Sequence, residues 1–116
     1  MDSLKERRFA HMADVAWDAA GDGVRRKVGP YDETMTAVLV EFDRGSVGYV
    51  HTHPHHQITY IRHGSFEVTI GEEKQVLGGG DFYYIPADVP HGVVALEDSA
   101  LVDFFSPCRL DLVKGK

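Results

Sequence analysis

The chain has 116 residues, 43% of them apolar, enough for one compact domain and too few for two of ordinary size. Eighteen acidic against twelve basic side chains leave a net charge of −6, and the short basic runs Lys5 to Arg8 and Arg25 to Lys27, close to acidic residues, read as solvated surface, which argues against a nucleic-acid partner. The lone Cys108 cannot make an internal disulfide, and no stretch of about 18 apolar residues or signal-peptide core is present, so a cytoplasmic protein with no membrane partner is expected.

In chain order, residues 1–12 read as a short helix or a disordered arm, followed by weak strand signals at 15–17 and 24–28. Clearer strands are predicted at 35–42, 47–52, 57–62, 65–70, 75–77, 82–85, 92–96 and 100–106, where β-branched, aromatic and apolar residues concentrate. Between them lie turn-forming sequences: Asp43-Arg44-Gly45, His63-Gly64, Gly71-Glu72-Glu73, Gly78-Gly79-Gly80-Asp81 and Glu97-Asp98. So many short strands in so short a chain predict an all-β antiparallel barrel or sandwich, with residues 1–23 as an N-terminal arm or edge strand and 24–116 as a single domain.

Five of the seven histidines fall within residues 51–63. His51 and His53 are one residue apart and share a face if extended, while Thr52 points away. Pro54 interrupts ladder pairing, and Gln57 opens the next strand with an amide oxygen that completes a candidate coordination shell. His91 follows the 82–85 strand and a turn, and can return to the same cavity as a third imidazole. Neutral imidazoles suit transition metals, whereas Ca or Mg would call for an oxygen cage. The competing reading is a surface histidine patch.

The spacing Gly45-x5-His51-x-His53-x3-Gln57-x6-Gly64 resembles the first motif of the cupin family, with Gln in place of the usual Glu. Gly80-x5-Pro86-x-Asp88-x2-His91-x3-Ala95 resembles the second, with Asp88 where Gly is common and Ala95 where Asn is common. The resemblance covers residues 24–109. It implies an RmlC-like double-stranded β-helix, or jelly-roll barrel, with one divalent transition metal (Ni, Zn, Fe or Mn) on His51, His53, Gln57 and His91. A neutral Gln leaves such a site near +2, favouring an anionic ligand. His55 and His56 read as loop or supporting residues, His63 as exposed, and His11 lies outside the resemblance.

The last strand is apolar apart from Asp103. Alternation puts Asp103 and Phe105 on one face and Val102 and Phe104 on the other; an inward Asp103 would enter the cavity, and the competing reading is a surface carboxylate. Arg109, beyond Pro107, can reach back toward the barrel mouth, where its planar fork suits a carboxylate, or remain a solvated tail residue.

Together with H-x-H-P-x-x-Q-I, G-S-F-E, Y-Y-I-P and H-G-V-V, the closing D-x-F-x-P-x-R resembles the KdgF-type pectin degradation proteins. That resemblance implies metal-dependent linearisation of 4,5-unsaturated monouronates from pectin or alginate to the 4-deoxy-5-keto uronate, with Asp103, Phe105 and Arg109 catalytic. It also implies a homodimer. Tyr83 and Tyr84 read as packing residues with auxiliary donor capacity. Competing functions are a metal-dependent dioxygenase, a non-enzymatic sugar-binding cupin and a cupin whose metal is structural.

Overall fold

The computed structural model describes residues 4–113. Among them run a 3-10 turn (Met12–Asp14), the strands β1 (Asp18–Gly21), β2 (Val24–Tyr31), β3 (Thr36–Phe42), β4 (Val47–His51), β5 (His56–His63), β6 (Ser65–Ile70), β7 (Glu73–Gly78), β8 (Phe82–Ile85), β9 (His91–Ala95) and β10 (Ser99–Ser106), and the short helix α1 (Leu110–Val113). The strands form two antiparallel sheets, one ordered β1-β2-β3-β10-β5-β8 and the other β4-β9-β6-β7. This is the all-β jelly-roll architecture expected. No helix among the described residues is long and apolar enough to cross a membrane.

Two-residue alternation builds the core. In β3, Thr36, Val38, Val40 and Phe42 are buried and the residues between them are not. Val38, Val40 and Phe42 meet Ile61, Phe66, Val68, Ala95 and Leu101 between the sheets, and Phe42 and Phe66 join the two sheets edge to face, their ring centroids 5.0 Å apart. The same alternation in β10 buries Phe105 and turns Phe104 outward.

Three expectations are corrected at the N-terminal end. The early strand is Asp18–Gly21 rather than 15–17, because the amide of Val15 closes the 3-10 turn on the Met12 carbonyl at 3.2 Å. Trp17 lies instead against Lys27 and Arg25, whose cationic groups stand 4.5 and 5.4 Å from its ring centroid. Within residues 4–11, Arg7 bridges Tyr31 in an antiparallel pair rather than forming a helix; the start of the expected arm, residues 1–3, lies outside the described residues. Finally, the run Arg25 to Lys27 is solvated surface only at Arg25, since Lys27 is buried and Arg26 lines the interior cavity.

Two local features set the position of the histidines. A Cβ on Gly92 would stand 2.8 Å from the Gly48 carbonyl oxygen, so glycine lets β9 approach β4 where His51 pairs with His91. Asp88 has φ +65°, in the left-handed region that Asp tolerates better than most residues. Its amide donates to the His53 carbonyl at 2.9 Å, tying the loop before β9 to the loop after β4.

Candidate functional site

His51 ends β4, His53 follows it in the loop, and His91 opens β9. One nitrogen from each ring lies within 4.8 Å of the others, an arrangement able to hold a metal ion. The rings are held by their other nitrogens. Nδ1 of His51 lies 2.8 Å from the Tyr49 carbonyl, Nδ1 of His53 lies 3.0 Å from that of His55, and Nδ1 of His91 lies 2.9 Å from that of Val89. A carbonyl only accepts, so each Nδ1 carries a proton, which in the form a metal ligand takes leaves the Nε2 lone pair facing the centre.

Two observations fit a cation there. Nε2 of His91 is buried with no hydrogen-bond partner, and a stranded acceptor of that kind is costly unless a ligand meets it. Nε2 of His53 faces Oε1 of Gln57 at 3.0 Å. The amide orientation follows from its other end, where Nε2 of Gln57 donates to Thr59 Oγ1 at 2.9 Å and to Asp103 Oδ1 at 3.0 Å. The Gln57 oxygen and the His53 nitrogen therefore meet as a favourable pair only with a positive charge between them, a bound cation or a proton on Nε2. Burial, reinforced by the neighbouring imidazoles and Arg109 and offset in part by the Val89 carbonyl, lowers the His91 pKa to about 4. His91 is thus neutral at physiological pH, as a ligand must be.

Asp103 stands behind Gln57 in the cavity wall. Thr59 pairs with it across the β5–β10 ladder and donates its hydroxyl to Oδ1 at 2.6 Å. Desolvation raises its pKa to about 6, against the opposing pull of Thr59, Arg109, Gln57 and His51. Thr59 also pairs with Tyr83, whose phenol burial pushes further up, so Asp103, Thr59 and Tyr83 form one inward row over three strands. Alternation put Asp103 on the face of Phe105 and left open whether that face turned inward; it lines the cavity. Thr59 was missed, because a threonine in a strand carries no sequence signal until its cross-strand partner is known.

Phe105 packs edge-on against His53 at 5.4 Å, and the Arg109 guanidinium lies over its ring at 4.7 Å. Arg109 does line the cavity, but one edge of its fork is taken: Nε and Nη2 donate to the two Asp111 carboxylate oxygens at 3.0 and 2.8 Å. That bidentate pair holds the Asp111 carboxyl down at about 2. Asp111 was not anticipated from sequence, since its role depends on α1 folding Arg109 back.

The remaining histidines separate by position. Nε2 of His55 donates to the Cys108 carbonyl at 3.2 Å, tying the metal-side loop to the C-terminal segment. His56 opens β5 rather than lying in the loop; it is exposed, stacked on Tyr84 with its Nδ1 3.0 Å from the phenol oxygen. His63 is exposed, and His11 precedes the 3-10 turn far along the chain from the cluster.

The cavity holds about 170 Å³ and is lined by His51, Gln57, His91, Asp103, Phe105, Arg109, Tyr83 and Arg26 among apolar residues. That space suits one small molecule rather than a polymer chain.

Residues 38–105 match the family profile described as "Cupin domain". The chain is 41% identical over 109 residues to the pectin degradation protein KdgF of Dickeya dadantii, covering 92% of this chain and 99% of that one. The solved structure of KdgF from Halomonas sp. is 40% identical with a TM-score of 0.88, over 92% of this chain and 99% of that one. An RmlC-like cupin from Shewanella frigidimarina is 33% identical with a TM-score of 0.90, over 95% and 100%. The chain belongs to the cupin family and, within it, to the group of the pectin degradation protein KdgF.

Proposed function

We propose that this chain is a metal-dependent enzyme that linearises 4,5-unsaturated monouronates released from pectin or alginate, with His51, His53, Gln57 and His91 holding one divalent transition metal ion. The observation that carries the reading is Asp103, a carboxyl inside the cavity and one hydrogen bond behind Gln57. A structural metal site would not require it. Similarity to two KdgF proteins along almost their whole length supports the substrate class.

Opening such a ring requires loss of the anomeric hydroxyl proton, release of the ring oxygen as an enol and delivery of a proton to C4 to give the ketone. A bound divalent ion supplies Lewis acidity toward the anion and the charge that develops on it. Asp103, with its pKa near 6, is populated in both forms close to neutrality and is the group that gives and takes the proton. Thr59 and Gln57 hold its carboxylate in one orientation. Phe105 forms an apolar floor for the sugar, and Arg109 stacked above it adds the positive potential that orients an anion.

Given freshly lyase-generated unsaturated monouronate, the metal-loaded protein is expected to accelerate loss of the ring's ultraviolet absorbance. A rate equal to the spontaneous one overturns the reading. Asp103→Ala abolishes the acceleration with metal content retained, whereas loss of metal in that variant makes Asp103 a coordinating or structural residue.

A homodimer belongs to the same proposal. It is supported by the outer face of the larger sheet, where Phe104, Ile58 and Tyr84 form one cross-strand row and Val102, Tyr60 and Phe82 the next. Phe104, Ile58, Tyr84 and Phe82 are 46 to 63% exposed, a contiguous apolar patch of the kind that marks a contact surface. Light scattering gives the mass of two 12.9 kDa chains if the dimer forms and of one if it does not.

A further inference from the structure

The run Arg25-Arg26-Lys27 divides by strand alternation. Arg25 turns outward to Glu41, with nitrogens 2.6 and 3.0 Å from the carboxylate. Lys27 turns outward too, donating to the Met12 carbonyl at 2.7 Å beside Trp17. Arg26 points the other way: it pairs in register with the buried Val40, is half-buried, and lines the same cavity as His51, His91 and Asp103. Among the described residues no carboxylate pairs with it. Val24, Val38 and Val40 beside it carry no side-chain acceptor, and the carboxylate on its face of the sheet is Asp18, its register partner across β1–β2.

Unpaired arginines are ordinary on a surface; an unpaired one facing a cavity is not, because burial removes water that would otherwise solvate its five donors. The cavity's other guanidinium, Arg109, is already engaged by both oxygens of Asp111. We propose that Arg26 is the carboxylate anchor of this cavity, taking the acid group of a small sugar acid bidentately while Arg109 remains locked to Asp111. The inward row containing Arg26, Val40, Leu101 and Ile61 lies next to the row containing Val28, Val38, Asp103 and Thr59. Two residues along a strand span roughly 7 Å and the two strand spacings from β2 to β10 about 10 Å more sideways, so the two backbones stand about 12 Å apart, a gap that the long arginine side chain and one sugar ring together can bridge. For its natural ligand the inference rests on the uronate reading, while the geometry requires only a small carboxylic acid.

The test is calorimetric titration of the metal-loaded protein with D-galacturonate and, as the neutral counterpart, D-galactose. Arg26→Gln weakens galacturonate binding about 10- to 100-fold, as expected for a lost charge-assisted pair. Arg26→Lys recovers part of the loss, and galactose binding and metal content do not change. With unsaturated monouronate, KM rises while kcat is nearly constant. An unchanged galacturonate affinity overturns the proposal, as does equal loss for galactose, which marks a packing role, or failure of the wild-type protein to bind galacturonate. If the wild-type protein lacks linearisation activity yet loses galacturonate affinity through Arg26→Gln, the function proposed above fails and the anchor stands.

Discussion

Asp103→Asn in the metal-free protein isolates the energetic consequence of placing a carboxyl behind Gln57. Asparagine keeps the shape and an oxygen able to accept from Thr59 and Gln57, but it cannot ionise. Desolvation raises the Asp103 pKa from 3.8 to about 6. A carboxyl raised in the folded state binds more protons there than in the unfolded chain, so its contribution to stability is complete below the unfolded pKa and falls away as pH rises through about 6. A shift of about 2 units corresponds to about 3 kcal/mol. Other groups, His91 among them, also titrate over this range, so the informative quantity is the difference between wild type and variant. Urea unfolding at pH 4 and pH 8 in the presence of chelator should show Asp103→Asn gaining about 2 kcal/mol on wild type, since pH 4 already lies just above the unfolded pKa, or roughly 8 °C in thermal midpoint for a chain of this size. Parallel pH dependence in the two proteins would falsify the placement of Asp103 in a desolvated wall.

His91→Ala should cost more than the 10- to 100-fold loss of metal affinity usual for supporting residues, measured by titration with Zn²⁺ and Ni²⁺. Gly92→Ala should destabilise by about 1–3 kcal/mol in thermal unfolding and weaken metal binding with it, since the new Cβ meets the Gly48 carbonyl at 2.8 Å and forces β4 from β9 beside His51 and His91. Full stability in that variant removes the argument from close strand approach.

Much of the site was legible in one dimension because strand geometry has a period of two. His51, His53 and Gln57 are dense and closely spaced, and Asp103 is the one ionisable residue in an apolar strand, so local pattern alone isolates them. His91 is named by spacing, but its meeting with His51 depends on β4–β9 register and on Gly92. Helix α1, too short to announce itself by periodicity, turns Arg109 back toward the barrel and brings it against Asp111.

The sequence by itself determined that this is a small all-β chain with a histidine-rich centre and an acidic residue in its last strand, because composition and alternation act within a few residues. Only the tertiary structure decided which polar groups share that centre. Thr59 is an ordinary strand residue until β10 places Asp103 opposite its hydroxyl. Arg26 reads as one of three solvated cations until the pairing of β2 with β3 turns it inward and leaves Arg25 and Lys27 to satisfy themselves outside. Alternation separates two faces of a strand, but which face is the cavity is decided by a second sheet contributed from distant parts of the chain.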